Sequence, residues 1–492
     1  MTKQVLDCDV LIVGAGAGGS TVANVLAEQR LNIIVIEEGA HRLAQAVPDR
    51  FSESLNTMWR QGGLTMAFGR PSVAYAEGRC VGGGTEINSA IIQRTPAELL
   101  DTWGKEYAID KFSAQALEPH YEHVLNLLQA KVTPEKPADL GPPSEIFRQM
   151  GKKMGWETTP LARAQEGCVG TNHCSTGCPT GGKQNLSTAL WPSLLRNKQV
   201  RLFPDTKLKK MARTGQCLSK AEAISVDEHG CENVLEIHFK DVFICGGATQ
   251  TPAVLQQNGL LPRGASGLQL HPTLRMMALF NDPVNAPQHR LPLYAITEFM
   301  PDFRLGGSVI THPTLGMFRA EDPALRAHMA PAGNHSAIYY AMSRGVGRGR
   351  ITALPFGQPP LVQYKLAPAD WAHLHTGTLK LAEGLFAVGA KAVQPSIAGM
   401  PAWRSMDDVQ RALANGLPQK RCHLMTIHLF SSLGMGAQAQ GMRTDSFGKF
   451  HGLDNLYVAD ASLIPASPGV NPQATVMAIA HRNAQQYIDA QK

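Results

Sequence analysis

Residues 8–39 constrain this chain more than any other stretch. Asp9-Val10-Leu11-Ile12-Val13 is a short apolar run with β-branched side chains, which reads as a buried parallel strand. Gly14-Ala15-Gly16-Ala17-Gly18-Gly19 follows without a gap and sets glycines 14, 16 and 19 in a G-x-G-x-x-G pattern. Residues 20–28 then read as a helix, residues 31–36 as a second strand, and Glu37 closes that strand. In such a unit the first glycine allows a tight turn, the second lets backbone approach a pyrophosphate, and the third lets helix pack on strand. The helix N-terminus offers free N–H groups and a positive dipole end to phosphates. Glu37 is placed to accept from ribose hydroxyls, which disfavours a 2′-phosphate. Three glycines alone could be a chance turn. Strand, loop, helix, strand and acid in order predict a dinucleotide site.

The chain's 492 residues are enough for two or three domains with sizeable cores. Apolar residues at 43% and charged residues at 17% are ordinary for a soluble globular enzyme. The net charge of +6 is thinly spread, and its densest run, Lys207-Leu208-Lys209-Lys210, reads as a solvated strand face. No nucleic-acid partner is expected. No run approaches the roughly 18 apolar residues of a membrane span. The first residues lack a signal-peptide core, so a cytoplasmic location is expected. The nine cysteines are an odd number, a poor framework for disulfides.

Beyond Glu37 the chain reads as loop up to about residue 75. Gly82-Gly83-Gly84 then permits very close approach to a flat ligand, with Asn88 just after. Residues 95–130 read as helical, with Trp103, Tyr107, Tyr121 and Leu125 as core candidates. Residues 200–243 alternate like a β-meander, and residues 241–255 give another strand, glycine turn and helix. Residues 271–420 carry short strand-like segments and a helix from about 368 to 387, as for a second domain on an antiparallel sheet. Residues 453–460 form a strand ending in Asp460, followed by a rigid turn through Asn471-Pro472 and a terminal helix. The expected fold class is α/β (α+β): a Rossmann-like dinucleotide domain with an inserted antiparallel-sheet domain. Residues 1–110, 191–270 and 421–492 make the first domain, 111–190 a lid and cysteine loop, and 271–420 the second domain.

Together these blocks resemble the glucose–methanol–choline (GMC) family of flavoprotein oxidoreductases. Gly82-Gly83-Gly84-Thr85 with Asn88 is more similar to the long-chain alcohol oxidase branch than to the glucose oxidase branch. The resemblance implies FAD as cofactor, with its ring at the interface between the FAD domain and a six-stranded substrate sheet. It places Gly14, Gly16 and Gly19, with Ala15, Ala17 and Gly18 between them, along the pyrophosphate, and Glu37 at the adenosine ribose. Leu208 falls where backbone meets the adenine. Gly82, Gly83, Gly84 and Asn88 fall along the isoalloxazine, and Asp460 and Ala461 on the ribityl–pyrophosphate arm. Pro472 faces the N1–C2=O edge, where the terminal helix dipole would stabilise an anionic reduced flavin.

The same resemblance implies oxidation of a small-molecule alcohol to an aldehyde or ketone, by hydride transfer to flavin N5. Histidine suits the required base because its pKa lies near working pH. His428 stands at the family's base position, although Ser431-Ser432 replaces the family's Gly-Thr after it. Asn471 matches the second catalytic position and would hold the substrate oxygen. His423 is a fallback base, and His271 reads as structural. Cys168, Cys174 and Cys178, in C-x5-C-x3-C followed by proline, resemble the loop of bacterial FAD-dependent glucose dehydrogenase catalytic subunits. There such cysteines hold a three-iron, four-sulfur cluster. A cluster here would relay electrons to a quinone or cytochrome, with a small partner subunit possible; oxygen is the other acceptor. The plain alternative is a glycine-rich loop with structural thiols, and a zinc site would need His173. Other chemistry on the same fold, such as a lyase or desaturase, or an electron-transfer subunit, is the alternative function.

Overall fold

Five parallel strands form the sheet that the opening motif belongs to. Their spatial order is Val200–Phe203, Ile33–Ile36, Val10–Val13, Asp241–Ile244 and Leu456–Val458. Val10–Val13 and Ile33–Ile36 are buried at every residue, as continuous apolar runs covered on both faces must be. The helix Ala17–Ala27 starts directly at the glycine loop and packs on the terminal helix Gln473–Gln491. The two ends of the chain thus meet in one layer. The structure is a computed structural model and describes residues 2–42, 51–132, 141–171, 173–284, 293–308, 318 and 335–492.

The expected meander is present with two corrections. Thr206–Thr214, Cys217–Val226 and Glu232–His238 are its antiparallel strands, and Lys3–Asp7 adds a parallel strand at its edge. Val200–Phe203 leaves it to join the parallel sheet, because its register pairs it with Ile33–Ile36. Residues 95–130 divide into helices Ala97–Glu106 and Ala114–Leu127, the second capped by Ser113, which accepts from the Ala116 N–H. Trp103 and Tyr121 are fully buried, and Tyr107 and Leu125 pack against the same core from its edge.

The second core lies under a nine-stranded sheet. Its main path runs Thr65–Ala67, Val73–Tyr75, Leu424–Thr426, Thr273–Leu279, Ser336–Ser343, Phe303–Gly307, Tyr294–Ile296 and Thr158–Pro160. Ala392–Pro395 also pairs with Thr273–Leu279. The sheet is antiparallel except where Leu424–Thr426 runs beside Val73–Tyr75. Six strands were expected, and residues 65–75 were expected to be loop. They are strands because the carboxyl-terminal segment supplies their partner. Phe51–Met58, in the same expected loop, is a helix, and residues 43–50 lie outside the described residues. Helix Pro368–Ala387 covers the back of this sheet. The opposite face looks toward the carboxyl ends of the parallel strands, where open α/β sheets hold their ligands.

Candidate active site

One cavity of about 640 Å³ joins the two sheets. Its nucleotide end is made by two glycine loops in contact. Gly14 has φ +106°, and a Cβ there would stand 2.4 Å from the Cys245 carbonyl oxygen. Gly83 has φ +54°, and its Cβ would stand 2.8 Å from Gly16 Cα. Both positions require glycine, for conformation and for space. Gly14, Gly16, Ala17, Gly18, Gly83, Gly84, Asn88, Leu208, Asp460, Ala461 and Pro472 all face the cavity, as do Glu37, His428 and Asn471. Ala15, Gly19 and Gly82 stand behind the wall, and the Gly82 N–H donates to the Ala15 carbonyl at 2.8 Å.

The acids at this end divide their work. Glu37 is buried and accepts from the Ala15 N–H and the Gly39 N–H, both at 2.9 Å. Burial pushes its carboxyl up to about 7, against the pull of those two N–H groups and Arg60. Its oxygens therefore brace the glycine loop. Neighbouring Glu38 also lines the cavity and pairs with Arg60 at 3.0 Å and Lys207 at 2.9 Å. Burial raises Glu38, but those two cations outweigh it and hold the carboxyl at about 2. A second acid after Glu37 was the available sequence signal for it. Asp460 accepts from the Gly247 N–H at 2.9 Å and from Thr251 and Ser462 hydroxyls at 2.5 Å.

At the other end, hydrogen-bond polarity can be read residue by residue. Ser467 Oγ donates to the Arg344 carbonyl, so it accepts from His271 Nε2 at 2.9 Å. His271 Nδ1 is then an acceptor, and His428 Nδ1–H donates to it at 3.0 Å. Neutral His428 is left with an unprotonated Nε2 as its remaining ring nitrogen, on a side chain that lines the cavity. Burial, with the Arg304 charge adding to it, pushes His428 down to about 3; His271 is pushed well below its usual value by burial first and then by His428. Both rings are therefore neutral at pH 7, and the bond between them requires this of the acceptor, His271. Arg304, 1% exposed, donates to Asn471 Oδ1 and Gln93 Oε1. A guanidinium can only donate, so Asn471 Nδ2 is the end left for the cavity. Neither His271 nor Arg304 carried a sequence signal for these roles. His423 is exposed and off the cavity wall.

Ser431 and Ser432 also lie outside the cavity. Ser431 has φ +66°, where glycine is favoured, and Ser432 Oγ donates to the Ala248 carbonyl at 2.6 Å. Their departure from the family pattern alters the support of the site and leaves its lining unchanged.

Cys168, Cys174 and Cys178 do share one small pocket, with Arg163 and Lys183. Arg163 Nη2 donates to Cys174 Sγ at 3.1 Å. Burial raises the Cys178 thiol, but the Thr180 hydroxyl and the N–H groups of Lys183, Thr180 and Gly182 outweigh it and lower its pKa. The pocket measures about 20 Å³, room for about one water. Among the described residues, no three His, Cys, Asp or Glu side chains are disposed to hold a metal ion. The arrangement does not fit the expected iron–sulfur cluster. Lys183 instead ties the loop to the second glycine segment: its ammonium donates to the carbonyls of Glu86 at 2.8 Å and Asn88 at 2.7 Å, and to that of Cys174 in the loop itself at 2.8 Å.

A glycine-lined dinucleotide cleft that opens onto an antiparallel substrate sheet defines an oxidoreductase of the flavoenzyme class, and the residues around it fit FAD. The chain belongs to the GMC oxidoreductase family, whose amino-terminal signature matches residues 55–273 and whose carboxyl-terminal signature matches residues 346–480. An uncharacterized GMC-type oxidoreductase of Sinorhizobium fredii is 43% identical over 98% of this chain and 94% of its own. A long-chain-alcohol oxidase of Arabidopsis thaliana is 25% identical over 97% of this chain and 66% of its own. Among solved structures, pyridoxine 4-oxidase from Mesorbium loti superposes with a TM-score of 0.73 at 16% identity, covering 98% of this chain and 99% of that one. Formate oxidase from Aspergillus oryzae gives 0.74 at 16% identity, over 99% and 98%. At such identities the likeness is one of fold. No helix among the described residues is long and apolar enough to cross a membrane.

Proposed function

We propose that the protein oxidises an alcohol to an aldehyde or ketone, with His428 as the base that takes the hydroxyl proton. FAD, when bound, supplies the hydride acceptor. The observation that carries this reading is the polarity of the pair: His428 offers an acceptor and Asn471 a donor. A hydroxyl is the group that needs both at once. Its proton goes to His428 Nε2, and its oxygen, gaining charge as the proton leaves, is held by Asn471 Nδ2–H. His428 is deprotonated at neutral pH because burial and Arg304 disfavour the imidazolium. The named activity of the alcohol-oxidase relatives supports the same reaction class. The reading has no step for the cysteine loop.

The test is an anaerobic screen of alcohols followed at the flavin band. The wild-type holoprotein should bleach with its alcohol, and mass spectrometry of the product should show a loss of two hydrogens. His428→Ala should keep FAD and bleach about 10²–10⁴-fold more slowly. Bleaching at the wild-type rate in that variant would remove His428 from the role.

A further inference from the structure

The register of the nine-stranded sheet maps the substrate end in two rows. Met425, Thr273, Met342 and Arg304 lie side by side in one row. Arg275, Tyr340 and Gly306 lie in the next. Side chains two apart on a strand share a face, so both rows look toward the cavity. The first row lies beside the reacting pair, since Arg304 holds Asn471 and His271, two residues before Thr273, holds His428. Arg275 lines the cavity one row further out, about 7 Å along the strand.

Among the described residues, Arg275 is a cation in that wall without a counter-charge. Its Nε is buried and without a partner, and burial is what lowers its pKa. Among the described residues no carboxylate pairs with it. Among the described residues, the acids that line the cavity are Glu37, Glu38, Glu77 and Asp460. Glu38 and Glu77 are drawn to Arg60 at 3.0 and 3.4 Å, while Glu37 and Asp460 bind backbone N–H groups around the glycine turns. One face of the guanidinium lies over the Phe318 ring at 5.8 Å, which leaves its N–H edge to donate. A buried, uncompensated charge is costly unless something pairs with it.

We propose that the substrate alcohol carries a carboxylate, bound by the N–H edge of Arg275 about one sheet row from the carbinol. A carboxylate is favoured over a phosphate because one planar guanidinium matches a planar monoanion in charge and in its two-oxygen fork. Roughly five or six bonds of about 1.5 Å, shortened by the zigzag, span the 7 Å between rows. The substrate class is thus a hydroxy acid of medium length. This assignment rests on the alcohol-oxidation reading for its reacting end, but its anion site can be tested apart from turnover.

The holoprotein is assayed anaerobically with hydroxy acids of four to eight carbons, their methyl esters, and the matching hydroxyalkyl phosphates. The hydroxy acid should exceed its ester in kcat/KM by about tenfold or more, the worth of a charge-assisted bond. Arg275→Gln should erase that ratio through KM with kcat nearly kept, and Arg275→Lys should restore part of it. Esters as good as acids, or a ratio unchanged in Arg275→Gln, would overturn the proposal. Phosphates preferred over acids would overturn its carboxylate. If no alcohol bleaches the flavin, hexanoate binding read as a flavin difference spectrum decides. Binding lost in Arg275→Gln upholds the anion site while the oxidation reading falls, and no binding in either protein overturns both.

Discussion

His428 and Asn471 would be unremarkable polar residues without what stands behind them. Ser467 and His271 decide which nitrogen of His428 carries the proton, and Arg304 decides which end of Asn471 faces the cavity. Two variants separate this from simple packing. His271→Asn can still accept from His428 with its oxygen and donate to Ser467 with its amide. His271→Leu can do neither. Flavin reduction should fall about 10²-fold or more in the leucine variant and much less in the asparagine variant, with FAD content equal in both. Equal losses would reduce His271 to a space-filler. Arg304 is tested by pH. With His428 held near 3, its base form persists throughout the neutral range, so wild-type bleaching should be flat from about pH 5 upward. Arg304→Gln removes a charge that opposes the imidazolium. Its acid limb should therefore move up toward the ordinary histidine range, and an unmoved limb would count against the electrostatic role. That His428 and Asn471 belong together was legible in the sequence because of the blocks around them, and both line the cavity. Their supports were not: His271 and His428 are 157 positions apart, and no spacing announces that their rings touch.

Strand and loop geometry explain which elements the sequence disclosed. Val10–Val13 and Ile33–Ile36 were legible because burial on both faces demands unbroken apolar runs. Thr65–Ala67 and Val73–Tyr75 were not, being three residues each and paired through a segment near residue 425. The glycine loops were expected to face a ligand and do line the cavity, but their mutual contact at Gly16 and Gly83 was not legible. The segment after His428 carries a visible cost. Ser431 holds φ +66° and its buried hydroxyl lacks a partner. Ser431→Gly should stabilise the protein by about 1 kcal/mol, read as a rise in Tm, with bleaching kinetics unchanged because the residue is off the cavity. No gain would mean that the serine backbone is not strained. The cysteine loop makes the opposite kind of prediction. Its thiols share a pocket too small for a cluster, and Lys183 fixes it to the second glycine segment through the Glu86 and Asn88 carbonyls. Protein purified without oxygen should contain FAD but far less than stoichiometric iron and acid-labile sulfide. Three irons per chain would show that the loop rearranges to bind them.

Across the whole molecule, buried titratable groups oppose one another. Burial holds His428 near 3 and both His120 and His481 near 4, against an ordinary 6.5, and pushes His271 down as well. Below pH 6.5 the unfolded chain takes up protons that these folded rings refuse, so they make stability fall on acidification. Glu37, raised to about 7 by burial, works the other way, as do Glu86, Glu77 and Asp460, all pushed up by burial. Between its raised folded-state value, about 7 for Glu37 and Glu86, and its ordinary value, each carboxyl binds protons in the folded state that the unfolded chain does not, so these acids make stability rise on acidification. The two groups work against each other down to about pH 4.5. Below that the acids are protonated in both states and their contribution is constant, while the histidines still resist. Glu38, held near 2 by Arg60 and Lys207, joins them there, because the unfolded chain protonates it first. Tm at saturating FAD should be nearly level from pH 7 to 5 and drop steeply below about 4.5. A steady decline beginning at 6.5 would show that the buried carboxyls are not raised. The failure should begin at a particular place. His120 Nδ1 meets His481 Nδ1 at 2.7 Å, and His481 lies on the terminal helix that follows Asn471 and Pro472. Protonating both rings sets like charges against each other and loosens that helix from Ala114–Leu127. Release of FAD, read as a rise in its fluorescence, should therefore precede the loss of circular dichroism as pH falls.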